Sequence, residues 1–205
     1  MTRAGRKGAK RRITLKRRPV VARILEHRGE ALLIAGLGTT TWDCAAAGEG
    51  ANNFYLWGAM GGAAMVGLGL ALAQPKRRVL VITGDGEMLM GLGGLATIAV
   101  QSPPNLAVVV IDNEHYAETG MQETHTGHGV DLSAIAAAAG FRRTATVYDE
   151  KELEALIPAL FGARGPVFAD IKVTTSPAPV VLPPRDGTYL KHRFRQALLG
   201  EKAFD

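Results

Sequence analysis

The 205-residue sequence is poor in cysteine, in aromatic residues and, over one long stretch, in charge. Cys44 is its single cysteine, which excludes an internal disulfide framework, a zinc ribbon or a cysteine-ligated iron–sulfur cluster built from this chain. A lone thiol also fits a reducing, cytoplasmic setting. Aromatics are 6% of the chain, so the interior has to be assembled mainly from aliphatic side chains, within a composition that is 47% hydrophobic and 21% charged. That balance excludes wholesale disorder. Residues 54–73 carry no charge over 20 positions, enough to raise the question of a membrane span. Five of them are glycine, and the run leads straight into Pro75-Lys76-Arg77-Arg78 and another apolar segment. A buried, closely packed helix is therefore the expected form, and no membrane association is expected.

Acid is missing from residues 1–18, which hold nine Lys/Arg and no Asp or Glu. The remainder carries 15 basic against 19 acidic residues, so the formal charge of +5 belongs to the N-terminal block and the body is mildly acidic. Such a block reads as a solvated, disordered tail; a polyanion-binding segment is the alternative, and nucleic acid is not the expected partner. Arg11-Arg12 invites comparison with a twin-arginine export signal. Glu26, His27, Arg28 and Glu30 interrupt the place where its apolar region would follow, so export is not expected.

What remains alternates between two patterns. A short helix at Val20–His27 closes at Gly29, and apolar runs read as strands at Ala31–Ala35, Val79–Thr83, Leu106–Ile111, Thr144–Tyr148 and Pro166–Val173. Between them lie helices at Glu87–Gln101, Leu132–Ala139 (Asp131 as cap, Gly140 as stop) and Glu150–Phe161. A proline-rich connector then leads to an amphipathic helix near Tyr189–Leu199. Strands alternating with helices predict an α/β fold, a doubly wound parallel sheet with helices on both faces. The expected divisions are a tail (1–18), a cofactor-binding domain (19–175) and the connector with its helix (176–205).

In such sheets ligands bind beyond the carboxyl ends of the strands. Three expected strand ends carry polar or glycine-rich turns: Gly36-Leu37-Gly38-Thr39-Thr40, Gly84-Asp85-Gly86 and Asp112-Asn113-Glu114-His115-Tyr116. Glycines let backbone N–H groups approach a phosphate, and helix N-termini favour its charge. Aspartate and asparagine oxygens are hard ligands suited to Mg²⁺, which completes its shell with phosphate oxygens and water. Between Asp85 and Asn113 lie 27 residues, room for one helix and one strand, so both reach the same sheet edge and one ion there could clip a diphosphate.

Gly-Asp-Gly followed at this distance by Asn resembles the thiamin diphosphate signature. With LWGAMGGA (56–63), VLVITGDGEM (79–88) and VVVIDNEHYAETGMQ (108–122), the segment from about Leu32 to Val173 is similar to the diphosphate-binding, C-terminal domain of thiamin diphosphate-dependent 2-oxoacid decarboxylases. The resemblance implies Mg²⁺ ligation by Asp85, the Asn113 side chain and the His115 backbone carbonyl. It implies cofactor contacts from Gly38, Thr39, Gly84, Ala117 and the backbone N–H groups of Gly86 and Glu87. Gly58 would accept a hydrogen bond from the aminopyrimidine, and Met60 would wedge the cofactor into its bent form; the commoner use of such a residue is as a core methionine. Two positions depart from the pattern: Glu87 stands where a small residue is usual, and Asp112 where the first Asn of a pair is usual.

The glutamate that activates the pyrimidine lies, in that family, on a separate pyrimidine-binding domain, and only about 30 residues precede the first expected strand here. Glu26 and Glu30 read as surface charges. A split enzyme is therefore expected, with an alpha-type partner subunit supplying the glutamate, in a hetero-oligomer with paired sites. The run from Asn113 to Gln122, with Thr124 and the closing helix, resembles sulfopyruvate decarboxylase beta subunits and phosphonopyruvate decarboxylases, implying decarboxylation of a small acidic 2-oxoacid to an aldehyde. His125 and His128, in ETHTGHG, either move a proton or hold the acidic group, or are incidental to an exposed glycine-rich loop. An acetolactate-synthase-like ligase and a non-catalytic scaffold subunit with a polyanion-binding tail are the alternatives.

Overall fold

The computed structural model describes residues 11–204. Six strands form one parallel sheet: β1 (Leu32–Ala35), β2 (Asn53–Tyr55), β3 (Val79–Gly84), β4 (Leu106–Asp112), β7 (Arg143–Val147) and β8 (Val167–Lys172), in the order β2-β1-β3-β4-β8-β7. A two-residue antiparallel pair, β5 (His115–Tyr116) and β6 (Gln122–Glu123), stands apart beyond the end of β4. The helices are α1 (Arg17–Glu26), α2 (Thr39–Ala46), α3 (Ala63–Ala73), α4 (Asp85–Met90), α5 (Gly94–Gln101), α6 (Leu132–Ala139), α7 (Glu150–Gly162) and α8 (Gly187–Leu199). The chain therefore has the doubly wound α/β architecture that its alternating pattern predicts.

Side-chain alternation along the strands builds two cores. Leu80 and Ile82, with Ala107, Val109 and Ile111, face a cluster containing Val20, Ile24, Cys44, Leu153 and Leu160. Val79 and Val81, with Leu106, Val108 and Val110, face the opposite cluster containing Ala64, Leu68, Leu95, Ile98 and Leu132. Successive residues point to opposite faces of a strand, so continuous apolar runs are what a sheet covered on both sides requires. The chain turns one way from β1 to β2 and the other way from β3 onward. That reversal opens a crevice beyond the ends of β1 and β3.

The uncharged run is not one helix. Its start is β2 and a turn, and only Ala63–Ala73 is helical. A Cβ at Gly67 would lie 2.2 Å from Val81 Cγ2, so glycine lets α3 sit directly on β3. No helix among the described residues is long and apolar enough to cross a membrane. The expected single helix at Glu87–Gln101 is likewise divided into α4 and α5, with glycines at 91 and 93 in the break and Gly94 opening α5. Asp131 caps α6 by accepting from the Ala134 N–H at 2.9 Å, and Asp149 caps α7 from Glu152 in the same way. Each such cap is worth about 1 kcal/mol.

The expected tail needs correction in its last part. Residues 1–10 lie outside the described residues. Leu15 is buried, Thr174 donates its backbone N–H to the Leu15 carbonyl at 2.8 Å, and Arg17 and Arg18 open α1. The reason is charge pairing: Arg17 and Arg18 both bind the fully buried Asp43 carboxylate of α2, Arg18 Nε at 2.8 Å. A run of cations is solvated only while no buried acid meets it.

Candidate active site

At the carboxyl edge of the sheet the three polar turns converge on one cleft. Gly38 and Thr39 line it from the end of β1, and Gly84, Asp85, Gly86 and Glu87 from the end of β3. Asn113, His115 and Ala117 line it from beyond β4, and Met60, 37% exposed, from the turn before α3. Gly58 adopts φ +72° in that same turn but is not part of the lining. His125 and His128 lie on a 3₁₀ turn (His125–His128), are exposed, and do not line the cleft either.

Two helices open onto this space without side-chain caps: Gly38 precedes α2 and Gly84 precedes α4. Their first N–H groups are left for an anion. Gly86 is tightly held from one side, since a Cβ there would lie 2.4 Å from the Tyr116 ring. Between β4 and β5 the chain makes two successive Asx turns: Asp112 Oδ1 accepts from Glu114 N at 2.8 Å and Asn113 Oδ1 from His115 N at 3.0 Å. Glu114, between the two expected metal ligands, takes φ +63°, a left-handed conformation unusual for a residue with a side chain.

Asp85 is 2% exposed, and its carboxylate accepts from the Thr124 hydroxyl at 2.5 Å. Burial first, and then the negative charge of Asp112, push its carboxyl up to about 7. A carboxylate so placed is short of positive charge. Asp112 is fully buried and accepts from the Lys172 ammonium at 2.5 Å and the Thr126 hydroxyl at 2.9 Å. Asp170, on the same face of β8 as Lys172, is driven well above the usual carboxylate range by burial and by Asp112. This donor set of a buried carboxylate, an amide oxygen and a neighbouring backbone carbonyl is hard and oxygen-based. It fits Mg²⁺, and the two uncapped helix starts fit a diphosphate.

Glu87 does more than the expected backbone contact. Its side chain is buried under the end of β1, accepts from Thr83 Oγ1 at 2.6 Å, and fills the space a Cβ at Gly36 would need, 1.8 Å from Glu87 Oε2. Its carboxyl is raised by burial against the opposing hydrogen bonds of Thr83 and nearby backbone N–H groups. Glu26 and Glu30 are exposed, as expected of surface charges. Sequence reasoning missed Arg17 and Tyr116, which line the cleft, and the network of Thr124, Thr126 and Lys172 behind Asp85. The available signals were small: two charged residues, Asp170 and Lys172, in the otherwise apolar β8, and threonines alternating with histidines in ETHTGH.

Comparison with known proteins agrees with this geometry. Residues 38–171 match the family described as thiamine pyrophosphate enzyme, C-terminal TPP binding domain. The chain is 38% identical over 186 residues to the sulfopyruvate decarboxylase subunit beta of Methanothermobacter thermautotrophicus, covering 91% of this chain and 97% of that protein. It is 40% identical over 158 residues to the phosphonopyruvate decarboxylase of Streptomyces hygroscopicus, covering 77% of this chain but 36% of that one. Among solved structures, benzoylformate decarboxylase from Polynucleobacter necessarius shares the fold, with a TM-score of 0.68 and 19% identity over 88% of this chain and 36% of that chain. The chain belongs to the thiamine pyrophosphate enzymes, as their C-terminal cofactor-binding domain.

Proposed function

We propose that this chain is the diphosphate- and Mg²⁺-binding subunit of a split thiamin diphosphate-dependent decarboxylase, which converts a small acidic 2-oxoacid into an aldehyde and CO₂. The observation that carries the reading is a pair of coverages. The match extends over 97% of a relative named as a beta subunit and only 36% of a longer relative named as a phosphonopyruvate decarboxylase. An alpha-type partner would then bring the pyrimidine-binding domain and its glutamate, in a cytoplasmic hetero-oligomer with paired sites.

The bound cofactor supplies an electron sink that stabilises the negative charge left when CO₂ departs. The residues of this chain bind and orient. Asp85, Asn113 and the His115 carbonyl would hold Mg²⁺, while N–H groups at the starts of α2 and α4 would receive the diphosphate. Met60, Leu37 and Tyr116 give the cleft apolar walls. Decarboxylation consumes one proton as the aldehyde forms, and neither His125 nor His128 stands in the cleft to deliver it. In this reading the proton donor and the contacts to the second acidic group are supplied in large part by the partner.

Purified alone, the chain should not turn over sulfopyruvate or phosphonopyruvate whatever the supply of cofactor. Co-expressed with a pyrimidine-binding partner, it should release CO₂ and the corresponding aldehyde in equal amounts. Turnover by the single chain at about 1 per second or faster would overturn the split-enzyme reading. Formation of a branched hydroxyacid in place of the aldehyde would move the assignment to a ligase.

A further inference from the structure

Behind the proposed metal ligands lies a relay of Lys172, Asp112, Thr126 and Thr124, none of which lines the cleft. Lys172 Nζ, at the end of β8, donates to Asp112 Oδ2 at 2.5 Å, and both side chains are buried. Asp112 Oδ1 receives the Glu114 N–H at 2.8 Å, the contact that closes the first Asx turn around Asn113. It also receives the Thr126 hydroxyl at 2.9 Å. Thr126 Oγ1 also reaches Asp85 Oδ2 at 3.4 Å, and Thr124, its hydroxyl oxygen 2.9 Å from that of Thr126, donates to Asp85 Oδ2 at 2.5 Å. One unbroken chain thus runs from Lys172 through Asp112 to both Asn113 and Asp85, linking β8, β4, the 124–126 turn and the start of α4.

We infer that Lys172 is a positioning residue for the metal site, fixing Asn113 and Asp85 through Asp112 while standing outside the cofactor cleft. The inference rests on the magnesium diphosphate reading given above. It also accounts for the aspartate found at 112. An asparagine there would offer the same oxygen to Glu114 and Thr126, but only a carboxylate offsets the buried ammonium that meets it. Lys172 also faces Asp170 Oδ2 at 3.8 Å and Glu114 Oε1 at 3.7 Å, so one ammonium meets three carboxylates. Removing a single partner from such a buried pair leaves uncompensated charge, whereas removing both need not. Supporting contacts behind metal ligands commonly control affinity by 10–100-fold.

The sign of the effect separates positioning from simple electrostatics. If Lys172 acted only through its charge, replacing it would remove a cation near Mg²⁺ and tighten metal binding. As a positioning residue its loss lets the Asp112 and Asp85 carboxylates move, and metal binding weakens. The test is Mg²⁺-dependent binding of thiamin diphosphate, followed by calorimetry on the full chain in complex with its pyrimidine-binding partner. Lys172→Met should raise the Mg²⁺ concentration for half-saturation about tenfold or more. Asp112→Asn/Lys172→Met should return it to within about threefold of the wild type, far from the product of the single effects.

A control for general destabilisation is Leu160→Ala. Leu160 lies at the opposite end of the sheet, where its carbonyl receives Arg78 Nε at 2.6 Å just before β3. That variant should melt earlier with its Mg²⁺ response unchanged. If Lys172→Met does not fold, Thr126→Val cuts the same relay with the ion pair intact, and should weaken the Mg²⁺ response about threefold. An unchanged or tightened Mg²⁺ response in Lys172→Met, or in Thr126→Val where that variant stands in, overturns the inference, as does a double variant no better than the singles combined. A wild-type complex with no Mg²⁺-dependent cofactor binding would sink the underlying reading instead.

Discussion

The two sides of the cleft are built around buried ion pairs of opposite imbalance. On the side of α1 and α2, one carboxylate, Asp43, is shared by two guanidinium groups, Arg17 and Arg18, and Arg17 also donates to the Thr39 carbonyl at 3.1 Å. On the side of β4 and β8, one ammonium, Lys172, is surrounded by Asp112, Asp170 and Glu114, with Asp85 beyond. The first side has an excess of positive charge and adds the uncapped start of α2. The second has an excess of negative charge and the proposed metal ligands. The proposed magnesium diphosphate would find hard oxygen ligands on the negative side, and guanidinium groups with the uncapped start of α2 on the positive side.

The sharpest way to break this comparison is to remove the carboxylate that meets the cation. Asp85→Ala should abolish Mg²⁺-dependent thiamin diphosphate binding in calorimetric titration. The metal-free fold should survive, because the lost carboxylate was repelled by Asp112 and carried few partners. Wild-type affinity in the variant would leave the negative side without a purpose.

The positive side is tested by stability rather than by binding. Asp43→Asn strands two guanidinium groups, one of them with a side chain only 8% exposed, and should cost about 3 kcal/mol. For a chain of this length that is roughly 6–12 °C in Tm. A calorimetric melt unchanged from the wild type would show that α1 is not anchored through Asp43.

These two sides also differ in how far the sequence discloses them. Strands β1, β3, β4 and β8 are legible as apolar runs with Gly, Pro or Asn at or near their ends, β7 by its β-branched residues, and the three turns follow from where β1, β3 and β4 end. Strand β2 is not, because Asn53-Phe54-Tyr55 runs directly into the uncharged stretch 54–73, which hides where the strand ends. Helix α2, TTTWDCAA, has no helical periodicity and is rich in β-branched threonine, which disfavours helix. Its place is set by Arg17 and Arg18 reaching Asp43, contacts 26 and 25 residues apart in sequence. The Lys172–Asp112 pair spans 60 residues and depends on β8 lying beside β4 in one particular register, Asp112 opposite Lys172. Motifs were readable because their spacing is local to one strand–helix–strand unit. Charge pairing across the sheet was not, because which strands become neighbours is decided by the packing of the whole sheet.

A smaller effect distinguishes the sides by pH. Burial and Asp112 raise Asp85 to about 7 in the folded, metal-free chain, and Asp170 is raised as well, while in the unfolded chain both ionise near 4. Between about pH 4 and 7 the native state therefore holds protons that the unfolded state has lost, and stability falls as pH rises through that window. Metal-free denaturation curves should show the chain on the order of 2 kcal/mol less stable at pH 8 than at pH 5. Asp85→Asn should flatten part of that slope, and Mg²⁺ with cofactor should oppose it, since metal binding requires the ionised carboxylate. Stability that rises from pH 5 to pH 8 without metal would contradict an excess of buried negative charge.

The smallest expected effect concerns the histidines beside the negative side. Thr124 and Thr126 turn inward to Asp85 and Asp112, while His125 and His128, three residues apart on a 3₁₀ turn, share its outer face. His128 Nε2 meets Glu123 Oε2 at 3.2 Å, but the two side chains are 68% and 56% exposed, and solvent screens such a pair to little net value. His125→Ala/His128→Ala should therefore leave cofactor affinity within about twofold and stability within about 0.5 kcal/mol. The informative measurement is kcat for decarboxylation by the complete complex. An unchanged kcat leaves both histidines on the solvent side of the turn. A fall of tenfold or more with cofactor affinity intact would mean that the assembled enzyme brings the outer face of this turn against the substrate, and the negative side would then bind on one face and move protons on the other.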